Sequence, residues 1–136
     1  KKNKFSDREA EKLGIILANL HNLDIIHGDF TLSNFIFSDP KDSKSMDSSG
    51  VYKIYIIDFG LGFFSRSIED KAIDIFTTIR SINDNSTLII FLKSYLKNVD
   101  NKKQIMKRIL KIRERFRYGA RFKKIDDALN FVTTGN

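Results

Sequence analysis

The chain has 136 residues, 41% of them hydrophobic, carries a formal charge of +7 and contains no cysteine. That length suffices for one domain with a core of its own, and the missing cysteines exclude a disulfide framework and a thiolate metal site. The longest apolar run, Leu88-Ile89-Ile90-Phe91-Leu92, is far too short to span a bilayer. The chain opens on Lys1 with no signal-peptide pattern. It is expected to be a fragment that acts in the cytoplasm or nucleus, without a membrane partner.

Ser6 and Glu9 form an S-x-x-E capping box, so a helix is predicted from Asp7. Ala10, Leu13, Ile16, Leu17 and Leu20 continue it at helical spacing to His21, read as a helix-end residue without a catalytic role. Ile25 to Asp29 reads as a short strand running into a loop, and Phe35–Phe37 as a second strand. Ser38 to Gly50, with the single proline and little to bury, reads as a surface loop. Val51 to Ile57 returns as a strand, making a hairpin with Phe35–Phe37.

Ile68 to Ile82 has helical spacing through Ala72, Ile75, Phe76 and Ile79, with Glu69 and Asp70 favourably placed at its N-terminus. Ser86 or Thr87 is expected to cap a helix running to Leu96. Asn101 is expected to cap a last long helix that buries Ile105, Ile109, Ile112 and Phe116 and stops at Gly119. Asp126 to Val132 adds a short helical segment. From Lys102 to Lys124 the chain is dense in lysine and arginine, and Glu114 is the only acid. Such a run suits an anionic partner.

Two motifs stand out. His27-Gly28-Asp29-Phe30-Thr31-Leu32-Ser33-Asn34 reads H-x-D-x-x-x-x-N, and Asp58-Phe59-Gly60 reads D-F-G. Each follows an apolar, β-branched run. Either alone could be a chance match of solvated turn residues; their order and setting together resemble the catalytic loop and metal-binding turn of kinases. Phosphoryl transfer asks a protein for charge neutralisation and in-line positioning rather than covalent chemistry. The resemblance assigns Asp29 to the attacking hydroxyl or water, and Asn34 with Asp58 to magnesium. It gives His27 a bracing role in the loop and Gly60 a supporting role in the turn. It makes Asp74 a buried acceptor of backbone hydrogen bonds from the loop.

Other kinase parts are absent from these residues. No glycine-rich phosphate loop and no V-A-I-K-like lysine precedes Asp29, so the chain reads as a C-terminal lobe with the N-lobe absent. Gly28 stands where most protein kinases carry an arginine that grips a phosphorylated activation loop. Thr31 stands where serine/threonine kinases usually carry lysine, and no A-P-E follows the short step from Gly60 to Glu69. An ordinary protein kinase is therefore not expected.

The pattern H-G-D-x-T-x-S-N at His27 to Asn34, I-D-F-G-L at Ile57 to Leu61 and E-D-K-A-x-D at Glu69 to Asp74 resembles the small atypical kinase of the KEOPS complex, the PRPK family, over residues 6–124. The resemblance implies an α+β fold, a reduced, RIO-like protein-kinase C-terminal lobe that is mainly helical with a small catalytic hairpin. On this reading residues 1–124 are the lobe, with the motifs at 25–60 and an insertion at 38–50. Residues 102–124 are a basic helix and tail, and 125–136 a flexible extension. It also implies ATP and Mg2+ as cofactors, and ATPase or serine/threonine kinase activity in support of threonylcarbamoyladenosine formation in tRNA. The implied partners are a Kae-type carbamoyltransferase, other KEOPS subunits and tRNA. Arg117, Arg121, Lys123 and Lys124 resemble the family's basic tail and are the expected contacts to tRNA or the tRNA-bound partner. Two readings compete: a small-molecule phosphotransferase of the aminoglycoside or choline type, and a non-catalytic lobe that binds RNA or protein. The E-D-K-A-x-D segment and the basic run argue against the first, and the intact Asp29, Asn34 and Asp58 against the second.

Overall fold

The computed structural model describes residues 6–38, 53–116 and 120–134, and for 120–122 the backbone only. In chain order these form α1 (Asp7–Asn22), β1 (Ile25–Ile26), a 3-10 turn (Leu32–Asn34), β2 (Phe35–Phe37), β3 (Ile54–Ile56), β4 (Phe63–Phe64), α2 (Ile68–Ser81), α3 (Asn85–Asn98), α4 (Lys102–Arg113), a second 3-10 turn (Glu114–Phe116) and α5 (Ala120–Thr133). The fold is α+β and mostly helical. Two two-stranded antiparallel ladders accompany the helices, one pairing β2 with β3, the other β1 with β4, and Phe35 of β2 joins the hydrophobic core.

The helices begin where the chain supplies caps. Ser6 Oγ accepts from the Glu9 N–H at 3.2 Å and Glu9 Oε1 accepts from the Ser6 N–H at 2.9 Å, the reciprocal pair expected from the sequence. The start of α3 lies earlier than expected. Asp84 Oδ2 takes the Thr87 N–H at 2.9 Å and both the Ser86 and Thr87 hydroxyls, so the two residues read as caps are held by the true one. Asn101 does occupy the N-cap of α4, but in a left-handed conformation and without a side-chain cap bond.

The core joins α1, α2 and α3, with α4 packed on α2 and α5 on α3. Leu13, Leu17, Ile75, Ile79, Phe91 and Leu92 are fully buried in it. α4 buries Ile105, Ile109 and Ile112 as its spacing predicts. Phe116 departs from that stripe: it is 37% exposed, stacking on Phe76 with the Arg80 guanidinium over its ring. The stretch from 125, read as an extension, is instead the inner part of α5, where Ile125, Ala128 and Leu129 join the core. The expected insertion beyond Ser38 and the stop at Gly119 lie outside the described residues.

α1 and α3 touch at Gly14. A Cβ placed there would lie 2.6 Å from the Phe91 carbonyl oxygen and 2.8 Å from Ser94 Cβ. Gly14→Ala is therefore expected to destabilise the fold. Overpacking against backbone costs about 1–3 kcal/mol, more than the roughly 1 kcal/mol that alanine recovers in helix propensity. A lowered thermal midpoint checks this.

Candidate active site

β1 delivers His27 to Asp29, and β2 and β3 run between Asn34 and Asp58. The hairpin register, Phe35 opposite Ile56 and Phe37 opposite Ile54, brings the ends of the two motifs together. Two hydrogen bonds clip them. The Ile57 N–H donates to the Asn34 carbonyl at 3.0 Å, and His27 Nε2 donates to the Ile57 carbonyl at 2.9 Å.

His27 is fully buried, and the Asp29 N–H donates to its Nδ1 at 3.0 Å. With Nδ1 accepting, the network assigns the neutral ring with its proton on Nε2. The ring also packs against Phe30 and Phe59. His27 thus ties the H-G-D turn to the D-F-G strand and holds no free nitrogen for base chemistry.

Asn34 is buried, and its Nδ2 donates to both the Asp29 carbonyl at 2.8 Å and Asp29 Oδ2 at 2.9 Å. One amide thereby fixes the backbone and the carboxylate of Asp29, leaving its own Oδ1 as a hard oxygen donor. Asp58 is exposed with φ of 60°, in the left-handed region, and its Oδ1 accepts from the Gly60 N–H at 3.2 Å. Asn34 Oδ1 and the Asp58 carboxylate offer oxygen donors only. Such a set fits Mg2+, a hard cation that takes one or two carboxylates besides water and phosphate.

Beneath the loop, Asp74 of α2 is 2% exposed. Its Oδ2 accepts from the His27 N–H at 3.0 Å and its Oδ1 from the Gly28 N–H at 2.9 Å, the arrangement expected for it. A third donor was not expected. His21 Nε2 lies 2.8 Å from Asp74 Oδ2, and His21 Nδ1 lies 2.6 Å from the Tyr95 hydroxyl. His21 is fully buried, so it is a support of the site and not a plain helix end. Burial, and then the Asp74 charge, push the Tyr95 phenol well above its ordinary value, so it stays protonated and donates to His21. Thr78, also missed in the sequence, donates its hydroxyl to the Phe30 carbonyl at 2.6 Å.

Each charged residue of E-D-K-A-x-D has a partner. Glu69 pairs with Arg108 at 3.2 Å and with Arg115 at 4.0 Å. Asp70 accepts from Ser65 Oγ at 2.6 Å, and buried Lys71 donates to Asp24 Oδ1 at 2.8 Å. Asp24, just before β1, also accepts the Ser65 N–H through its carbonyl, joining α2 to the entry of the loop.

The Lys71 hydrogen bond, then the Lys71 and Arg66 charges, hold the Asp24 carboxyl below its ordinary range despite partial desolvation. Its stabilising contribution is therefore complete above the unfolded-state value and lost as pH falls through the depressed folded one. Asp24→Asn, which tolerates the left-handed backbone here (φ 61°), is expected to flatten the acid limb of the stability curve. Urea midpoints at neutral pH and below the usual carboxylate range test this.

Two of the four basic residues expected to meet tRNA lie within the described side chains. Lys123 and Lys124 are exposed on α5, a packed helix and not a free tail. Arg117 and the side chain of Arg121 lie outside the described residues. The described arginines nearby are engaged: Arg113 pairs with Asp126 at 2.7 Å, besides the contacts of Arg108 and Arg115 to Glu69. Among the described residues, no helix is long and apolar enough to cross a membrane.

No protein-family model matches the chain. Among curated proteins it is 37% identical over 109 residues to the EKC/KEOPS complex subunit BUD32 of Enterocytozoon bieneusi, covering 78% of this chain and 45% of that protein. It is 31% identical over 113 residues to the EKC/KEOPS complex subunit Tp53rkb of Mus musculus, covering 79% and 43%. It is 34% identical over 124 residues to a probable bifunctional tRNA threonylcarbamoyladenosine biosynthesis protein of Methanobrevibacter smithii, covering 86% and 21%. The chain therefore spans less than half the length of these relatives. With the three sequence motifs folded into one clipped loop-and-turn unit, the chain is similar over most of its own length to EKC/KEOPS complex subunits of eukaryotes and to a bifunctional tRNA threonylcarbamoyladenosine biosynthesis protein of an archaeon.

Proposed function

We propose that this chain is the C-terminal lobe of an atypical kinase or ATPase that acts on ATP–Mg2+ and supports threonylcarbamoyladenosine formation in tRNA as a subunit of a KEOPS-type complex, in the cytoplasm or nucleus. The observation that carries the reading is the double grip of Asn34 on Asp29, clipped through Ile57 to the turn that presents Asp58. It supplies one positioned carboxylate and two oxygen donors within a single rigid unit, which is what phosphoryl transfer asks of a protein.

In this mechanism Asp29 orients the attacking hydroxyl or water and accepts its proton. Asn34 fixes the carboxylate so that little reorganisation is needed when the nucleophile arrives. Asn34 Oδ1 and Asp58 would hold magnesium, which when bound neutralises charge on the phosphates. Asp74 and His27 hold the backbone of the H-G-D turn. Lys123 and Lys124 are the described members of the basic set proposed to face tRNA or the tRNA-bound carbamoyltransferase.

The test is Asp29→Asn in the full-length protein. The asparagine can still accept from Asn34, so the loop and ATP affinity are expected to persist. ATP turnover is expected to fall by about a hundredfold or more, the usual worth of a positioned base. Turnover within a few-fold of wild type would remove Asp29 from this role.

A further inference from the structure

α3, α4 and α5 leave between them a cavity of about 630 Å³, lined by none of the residues of the H-G-D and D-F-G unit. Its floor is apolar: Leu96, Met106, Leu110 and Val132 are half-buried there. Its rim is basic, with Lys93, Lys97, Lys102, Lys103 and Lys107 all exposed. Lys93 lies over the Phe131 ring at 4.9 Å. Among the described residues no acid pairs with the other four.

The two sides of α4 are charged in different ways. Arg108 and Arg113, together with Arg115 in the turn that follows, lean on Glu69 and Asp126 and join α4 to α2 and α5. The lysines on the cavity side have no such partner. Basic side chains that only kept the surface solvated would not need to ring an apolar floor. A nucleic acid would use the lysines through its phosphates and leave Leu96, Met106 and Leu110 uncovered. An occupant that satisfies both features must be apolar on one face and acidic on its flanks.

We propose that this groove docks an acidic amphipathic helix of a partner protein, seating two or three apolar side chains at i, i+3 or i+4, and i+7 on the floor, with carboxylates toward the lysine rim. The helix-in-groove mode supplies the spacing. The volume lies in the range of a ligand-sized pocket, about 300–1,000 Å³, and so takes anchors of a helix rather than a whole domain. Docking here is separate from the nucleotide site and does not rest on the proposed phosphoryl transfer.

The experiment uses the full-length protein and a fluorescein-labelled helical peptide carrying leucine at i, i+4 and i+7 between glutamates. A shuffled peptide of the same composition and a single-stranded oligouridylate serve as comparators. The ordered peptide is expected to bind at least tenfold more tightly than the shuffled one. The exposed-lysine variant Lys97→Ala/Lys103→Ala/Lys107→Ala is expected to weaken it at least tenfold and reduce its salt dependence. Met106→Asn is expected to weaken it without altering the salt dependence, while Lys111→Ala, outside the groove, leaves it unchanged. Equal binding of the two peptides, no binding, or oligouridylate that displaces the peptide and ignores Met106→Asn would each overturn the proposal, the last in favour of an RNA surface.

Discussion

Asp58→Asn in the full-length protein is expected to lower magnesium-dependent ATP turnover by about a hundred- to a thousandfold, the range typical when one preorganised charge-stabilising group is lost. The substitution is chosen for the backbone. Asp58 sits at φ of 60°, where asparagine is at home and alanine is strained. The Gly60 N–H can still donate to the amide oxygen, so the turn keeps its hydrogen bond. What disappears is one negative charge at the exposed end of β3. A thermal midpoint close to wild type, with turnover strongly reduced and the magnesium requirement shifted upward, is the expected pair of results. Full turnover by the folded variant would show that the D-F-G carboxylate is not the metal ligand.

Asp74→Ala is expected to have the largest effect on stability. Three donors converge on this carboxylate, the His27 and Gly28 N–H groups and His21 Nε2, and all three positions are buried or partly buried. Each donor left without a partner costs about 1–3 kcal/mol, so three of them sum to about 3–9 kcal/mol, a large share of the roughly 5–15 kcal/mol that a domain ordinarily has. Tyr95→Phe removes only the outer donor to His21 and should cost about 1 kcal/mol. Chemical denaturation of both variants gives the comparison. A small loss for Asp74→Ala would mean that water or a rotated side chain replaces the carboxylate.

The features legible in the sequence are those set by short-range chemistry. Ser6 and Glu9 announced the start of α1 because a capping box is complete within four residues. The period of Ala72, Ile75, Phe76 and Ile79 gave α2 for the same kind of reason, and Phe35 to Phe37 with Ile54 to Ile56 gave the hairpin. The pairing of β1 with β4 was not legible. Each strand is two residues long, too short for alternation to register, and Phe64 stays largely exposed. α5 was underestimated because its first turn is basic and its buried residues Ile125, Ala128 and Leu129 are sparse. His21 was misread because its partners, Asp74 and Tyr95, lie 53 and 74 residues away. Arg108, Arg113 and Arg115 looked like one surface with the lysines, and only the fold reveals their partners Glu69 and Asp126.

Gly28 bears on how such a site can change over evolutionary time. Its φ is +89°, and a Cβ there would stand 2.6 Å from the Leu61 carbonyl oxygen. The turn ahead of Asp29 therefore rests directly on the residue that follows D-F-G, with no room for any side chain between them. An arginine at this position, the lever by which a phosphorylated segment could control the loop, would meet both a forbidden backbone angle and a blocked path. No single codon change can install that lever while Leu61 stays where it is. A descendant of this chain would have to move the D-F-G turn before an arginine could stand at position 28.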